Sequence, residues 1–504
     1  MANKSVFAAW KGRQPTTNEA GGPAHALAPR HRLAQLAMTG TFGAAFYQDA
    51  QTQVTALIEA AQAVEPRFLA QAAIHAREKG QMKDAPALLL AVLSMRDPVL
   101  FARAFPRVVT SGRVLRSFVQ ILRSGQVGRK SLGSRPKAMV QGWLNGASDA
   151  QVLWASVGND PSLADVIRMV HPKPETPERQ ALYAWVLGKP CDVALLPQAL
   201  RDLMALRAGG VDLPDVPFQM LTDLDLSPEH WAEVARRGSW QMLRQGLNML
   251  DRKGAFTVPG VAEHVAEVLR HPKGLPYQIL ATLKALEAKS PVLREALHEA
   301  LEASTAKVPV VQGSVVVCPD VSGSMMSPVT GHRAGATTSV RCIDVAALVA
   351  AAVLRQNPGA RVLPFAETVR PLRLEARDTI ATNAERLAAL GGGGTDCAAP
   401  LAALNRAGEA PDLVIFVSDN QSWMGPHQQV TGMMAEWTRL KARNRAAKLV
   451  CIDIQPYATT QAPERDDVLN IGGFSDAVFD QVADFAAGRM GPAHWVGQIA
   501  AVEI

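Results

Sequence analysis

Ser314-Val-Val-Val317-Cys-Pro-Asp320-Val-Ser322-Gly-Ser324-Met325 decides the fold of the C-terminal part of the chain. Its first half is a β-branched run of the kind buried on both faces of a parallel sheet. Its second half is a turn that combines one carboxylate, two hydroxyls and a glycine. Downstream, the pattern predicts a helix over Arg341–Gln356, a strand over Arg361–Phe365 and helices over Asp378–Leu390 and Asp396–Ala407. A strand over Leu413–Val417, a helix over Gln428–Arg443 and a strand over Lys448–Ile454 follow. Strands alternating with helices predict an α/β doubly wound, mostly parallel sheet spanning residues 308–504. Ligands of such sheets sit outside the carboxyl ends of the strands.

Three loops fall at those ends: Asp320-Val-Ser322-Gly-Ser324, Gly391-Gly-Gly-Gly394-Thr395-Asp396 and Ser418-Asp419-Asn420. Each supplies oxygen. Asp320, Ser322, Ser324, Thr395 and Asp419 together make the donor set that a hard divalent cation such as Mg²⁺ requires. Gly323 lets the backbone turn closely round the ion. Asp419 holds a bound water or coordinates directly, and a site of few carboxylates and mainly neutral ligands leaves the cation with net positive character and a position open to an acidic oxygen. Asp-x-Ser-x-Ser alone is a weak signal, since many turns show it. Three such loops in order, each placed by a strand, are a strong one.

Working outward, residues 26–307 read as one helix after another, from Val54–Ala63 and Pro66–Lys79 through Arg113–Ser124 and Lys137–Leu144 to Pro276–Ala288 and Pro291–Ala303. Apolar residues recur at steps of three and four, and proline recurs near the first turns. Short helices with short turns predict stacked pairs, an α-solenoid with a concave surface, with a globular helical bundle as the competing arrangement. Residues 1–25, rich in Gly, Pro, Thr and Asn, read as a loose arm or an extended segment.

The chain has 504 residues, 48% apolar and 19% charged, which suits two or more globular domains. Five scattered cysteines form no Cys-x-x-Cys pair, which fits small core residues in a reducing cytoplasm. The longest near-apolar stretch, Val345–Leu354, is half a membrane span, and no membrane partner is expected. The net charge of +6 is uneven. Residues 1–307 hold 36 basic and 27 acidic side chains, +9, and residues 308–504 hold 16 and 19, −3. Between Asp97 and Asp149 stand nine basic residues and no acidic one. A solvated face mixes signs, so this block points to a polyanion, with nucleic acid ahead of a plain basic surface or an anionic membrane. Gly-x-Ser-x-Gly, Walker and His-Glu-x-x-His motifs are absent, and no nucleophile is paired with a base, so the chain reads as non-catalytic.

The three oxygen-bearing loops resemble the metal-ion-dependent adhesion site (MIDAS) of von Willebrand factor A domains. Asp320, Ser322 and Ser324 match its first motif, Thr395 its second and Asp419 its third. A basic helical half joined to this domain resembles the Ro autoantigen family, whose helical module is called TROVE. The resemblance rests on Phe68–Gly80, Asp165-Val-Ile-Arg168-Met-Val-His171-Pro-Lys173-Pro174, Leu275–Leu280, Gly394–Cys397 and Ser418-Asp419-Asn420-Gln-Ser-Trp423. It implies a ring of HEAT-like helical repeats whose ends the A domain joins, acting as a monomer. It also implies binding of small Y-like noncoding RNAs on the outer surface and of single-stranded ends of misfolded RNAs in the central hole. RNA quality control alongside an exoribonuclease would follow. The RNA-binding residues expected are Arg113, Arg116, Arg123, Arg129, Lys130, Arg135 and Lys137 from the basic block, with Arg168, His171 and Lys173. Gly133–Trp143 matches a basic RNA-contacting helix of the family, with Lys137 on a basic position, while Ser134 and Pro136 depart from its pattern. Two other readings stay open. One is an adhesion or assembly module that captures a partner's carboxylate on the cation. The other is a Mg²⁺-dependent phosphoryl-transfer enzyme.

Overall fold

The computed structural model describes residues 15–504 apart from 41, 160, 289, 307, 332–339, 425–430, 456 and 491–492. From Pro29 to Thr305 helix follows helix, for local reasons. Proline opens the helices that begin at Pro29, Pro66, Pro98, Pro177, Pro228, Pro276 and Pro291, where its fixed φ suits the turn and its missing amide is not needed. Asp97 accepts from the amides of Val99 and Leu100, both at 2.9 Å. Ser148 and Ser162 form reciprocal caps with Gln151 and Asp165. Two helices, Pro29–Thr39 and Asp149–Ser156, add to those expected. Each helix packs on its next one or two neighbours, the signature of a solenoid. Gly112 permits one such approach, since a Cβ there would lie 2.1 Å from that of Ala155.

Among the described residues eight strands are numbered in chain order: β1 (Pro15–Thr17), β2 (Pro23–Ala26), β3 (Val315–Pro319), β4 (Arg361–Val362), β5 (Leu413–Ser418), β6 (Lys448–Asp453), β7 (Thr459–Thr460) and β8 (Val468–Gly472). Five of them form a parallel sheet in the order β4-β3-β5-β6-β8. Alternation divides its side chains between two cores. Val316, Cys318, Val414, Phe416, Leu449 and Cys451 pack under the helices Ala399–Arg406 and Gly432–Arg443. Val317, Ile415, Val450 and Ile452 face a core that runs without a break into the helical half. The apolar stretch Val345–Leu354 lies wholly buried in the helix Cys342–Gln356. Among the described residues no helix is long and apolar enough to cross a membrane.

The structure refines the sequence reading at both ends of the chain. Of the two readings of the N-terminal segment, loose arm or extended segment, residues 15–26 take the extended one and are held in a sheet. β1 and β2 pair antiparallel, and β2 pairs with β7 of the α/β unit. Residues 1–14 of that expected arm lie outside the described residues, as do positions 428–430 of the expected helix Gln428–Arg443, which here spans Gly432–Arg443. The strand β8 and the helices Asp476–Ala486 and His494–Ala500 complete the C-terminal unit.

This unit meets both ends of the helical array. At the first end, Gln35 donates to Asp453 at 2.8 Å, His31 pairs with Glu464, and Gln71 donates to the carbonyls of Ala500 and Val502 at 2.5 and 2.9 Å. At the last end, Lys284 pairs with Asp344 at 2.7 Å and Arg355 with Glu302 at 3.2 Å, while the Tyr277 and Phe474 rings meet edge-on at 4.7 Å. The array is thereby closed into a ring, with the sheet as its closing piece.

Asp344 is the buried acceptor of the second seam, taking Lys284 and, at 2.9 Å, Arg341. Burial raises its pKa, but the hydrogen bonds from Arg341 and Lys284 outweigh burial and hold it below the usual 3.8. A depressed carboxyl stabilises the fold fully above its unfolded pKa, and that stability is lost as pH falls through the lower folded value. Asp344→Ala should therefore cost about 3 kcal/mol in denaturant unfolding at neutral pH, with the deficit narrowing below about pH 4.

Candidate cation site and basic surface

Strands β3 and β5 are neighbours in register, Pro319 beside Val417, so their exit loops lie side by side. The Asp320 amide donates to the Val417 carbonyl at 2.9 Å, and Ser418 Oγ donates to Asp320 Oδ2 at 2.6 Å. The glycine-rich loop joins them. The Gly323 amide donates to the Gly393 carbonyl at 2.9 Å and the Gly392 amide to the Val321 carbonyl at 2.8 Å. The Trp423 and Met424 amides close the circle onto the Thr395 carbonyl at 3.2 and 3.1 Å. All five predicted ligands are buried where these loops meet. The Ser322 and Ser324 hydroxyls stand 3.4 Å apart. Asp396 does different work: its Oδ1 accepts from the Ala398 amide at 2.9 Å, at the start of the helix Ala399–Arg406.

The electrostatics of this pocket are those of a site short of positive charge. Asp320 and Asp419 are both pushed upward in pKa by burial, and Asp419 further by the neighbouring charge of Asp320. Asp419 Oδ1 accepts from the Gln421 amide at 3.1 Å, while its Oδ2 is buried with no hydrogen-bond partner. An orphaned carboxylate oxygen costs free energy unless a cation or proton meets it. With two hydroxyls, a threonine and a second carboxylate around it, the donor set fits a hard cation. Asp453, at the tip of β6, is a buried neighbour that the sequence reading missed. It accepts from Asn420 in the third loop and from Gln35 in the helical half.

The basic block divides when placed on the structure. Arg113, Arg123, Lys130 and Arg135 are exposed and Lys137 is half-buried. Arg129 is half-buried and donates to Ser94 Oγ at 3.2 Å. Among the described residues none of these six has a carboxylate partner, whereas Arg30, Arg32, Arg107 and Arg179 are all paired. Arg116 is a correction. It is buried, donating to the carbonyls of Gly158 and, at 2.7 Å, Val157, so it ties the helix Gly112–Arg123 to the loop after Asp149–Ser156 and is not a surface cation. Arg168 is exposed but bridged to Asp165 at 3.1 Å. His171 and Lys173 are exposed at the end of the helix Leu163–Val170. His171 sits there in the left-handed region at φ 50°, and the carbonyls of both hold Gln141 and Asn145.

Beside Arg113 opens a cavity of about 750 Å³ lined by Phe42, Gln51, Gln120, Gln126, Trp154 and Gln219, among others. Trp154 is 55% exposed, an aromatic face offered to solvent. Lys83 is exposed yet sunk in a concave surface. Burial among its neighbours lowers its pKa, and so do the charges of Arg113 and Arg77, with a smaller effect from Arg244. Arg244 belongs to the helix Trp240–Arg252, far along the ring. Sequence reasoning missed Arg77 and Lys83 because acidic residues follow each of them, and Arg244 because it stands alone among neutral neighbours. Stacking of adjacent helices brings the first two towards Arg113, and closure of the ring brings Arg244.

A family model described as the Ro60 vWA domain matches residues 314–486. Over 94% of its length the chain is 27% identical to the RNA-binding protein RO60 of Deinococcus radiodurans, covering 95% of that protein. The crystal structure of the Deinococcus radiodurans RO (RSR) protein superposes with a TM-score of 0.58 over 92% of this chain and 100% of that one, at 22% identity, which shows a shared fold. Residues 314–486 thus match a Ro60-type von Willebrand factor A domain, and the chain as a whole is similar to Ro proteins in sequence and shares their fold.

Proposed function

We propose that the chain is a non-catalytic RNA-binding protein, acting as a monomeric ring. It takes Y-like noncoding RNA on its basic surface and single-stranded ends of misfolded RNA on its concave one, and so scaffolds quality control by an exoribonuclease. Similarity to the RNA-binding protein RO60 supports the RNA-binding part. The observation that carries the reading is the run from Arg113 to Lys137, whose surface cations lack carboxylate partners among the described residues. Such cations neutralise phosphates and release counterions, whatever the base sequence. Arg77, Lys83 and Arg244 extend the positive field towards the exposed Trp154, and an aromatic face beside cations suits stacked, unpaired bases.

Filter binding or gel shift across a salt series tests this. Replacing Arg113, Lys130 and Arg135 by alanine should weaken single-stranded RNA binding and reduce the slope of log K against log salt by about 2, at about 0.7 per lost phosphate contact. Arg116→Ala should leave that slope unchanged and lower stability by about 1–3 kcal/mol, since it orphans buried carbonyls. Trp154→Ala should cost about 1–3 kcal/mol with single-stranded RNA and little with duplex. RNA binding that ignores salt and these variants would overturn the proposal.

The cation is the second part of the reading. Asp320, Ser322, Ser324, Thr395 and Asp419 would hold Mg²⁺, whose charge would compensate the two buried carboxylates and satisfy Asp419 Oδ2. Millimolar Mg²⁺ or Mn²⁺ should raise the melting temperature of the intact protein by mass action. Asp419→Ala should abolish that rise. An equal rise in the variant would place the effect elsewhere.

A further inference from the structure

The loop between the first two helices, Pro29–Thr39 and Ala50–Gln62, reaches across the seam onto the A domain. Within it, the Ala45 amide donates to the Gln48 carbonyl at 2.8 Å, which turns the Tyr47 side chain back to the sheet tips. The Tyr47 amide donates to the Tyr457 hydroxyl at 3.1 Å, and the two rings meet edge-on at 5.9 Å. The Tyr47 phenol is half-buried and lies close to the Ser324 hydroxyl. Burial pushes it up to about 12, the nearby charge of Asp419 adds to this, and that of Asp320 adds less.

The N-terminal strands take part in the same closure. Asn18 Nδ2 donates to the Ser422 carbonyl at 2.7 Å, and the Glu19 amide donates to Gln421 Oε1 at 2.9 Å. Gln48 Nε2 donates to Glu19 Oε1 at 2.9 Å, so the loop and the strands brace one another. The backbone approach is close: a Cβ on Gly22 would fall 2.0 Å from the Ser422 carbonyl oxygen. The third cation loop, Ser418–Trp423, is therefore held by chain that lies before the helical array.

We propose that Tyr47 closes the mouth of the cation site as an internal oxygen donor, so that cation binding and closure of the ring at its first seam are one linked equilibrium. The inference rests on the cation reading above. Phenol oxygen is a hard donor of the same class as the serine and threonine hydroxyls already there. A cation held from both sides binds the closed ring better than the open one, and by linkage it stabilises the seam by the same factor that closure adds to its affinity.

The test compares full-length wild type with Tyr47→Phe, Tyr47→Ala and Asp320→Ala. Mn²⁺ affinity is read by titration calorimetry, and seam closure by hydrogen exchange of residues 42–49 with and without Mn²⁺. Wild type should bind one ion and gain protection over 42–49. Tyr47→Phe, which keeps the ring packing, should bind about tenfold more weakly and lose most of that protection gain, as should Tyr47→Ala. Asp320→Ala should not bind. Phenylalanine and alanine variants that match wild type in affinity and protection would overturn the role of Tyr47 and leave the cation reading standing. No Mn²⁺ binding by wild type would overturn both.

Discussion

An array of short helices exposes an apolar face at each end, and each must be covered. Here one α/β unit covers both. Its inner sheet face shares a core with the helices, and its edges take polar contacts from Gln35, His31 and Gln71 at the first end and from Lys284, Glu302 and Tyr277 at the last. Two long-range juxtapositions follow from that closure. It brings Lys83 and Arg113 towards Arg244, and it seats the first interhelical loop and the N-terminal strands against the tips of the sheet.

The sheet tips pose the second constraint. Parallel strands β3 and β5 end side by side, and each continues into a loop with a buried aspartate. Two carboxylates so placed repel, and burial disfavours the charge on both. Asp320 is steadied by the Ser322 amide and the Ser418 hydroxyl, yet Asp419 keeps one oxygen without a donor. A cation or a proton would relieve such a pair, and the surrounding hydroxyls suit a hard cation. The buried Asp453 extends the arrangement, linking Asn420 of the third loop to Gln35 of the helical half.

Several elements were legible in the sequence because their cause is local. The β-branched runs at Val315–Val317 and Leu413–Val417 are central strands, as buried parallel strands must be apolar on both faces. Proline and serine at helix starts marked the helices within a few residues. The edge strand β8 was missed because Val468-Leu-Asn-Ile-Gly carries a polar residue in a short run, and only its pairing with β6 makes it a strand. The pairing of β1 and β2 escaped the sequence for a similar reason: their partners, β7 and the Ser422 carbonyl, lie some 400 residues away, as the spacing of 404 between Asn18 and Ser422 records.

By itself the sequence determined the two-part architecture, the order of the three oxygen-bearing loops and the one-signed charge of residues 98–148. Periodicity, turn chemistry and residue type are enough for these. The tertiary structure alone decided which of those charges reach solvent. Arg116 and Arg113 are three positions apart on one helix, yet packing sends the first to the carbonyls of the loop after Asp149–Ser156 and the second to the cavity. It also decided that Tyr47, an unremarkable residue in a short loop, stands at the cation site. Burial and long-range convergence depend on how separate elements close on each other, and no local pattern carries that information.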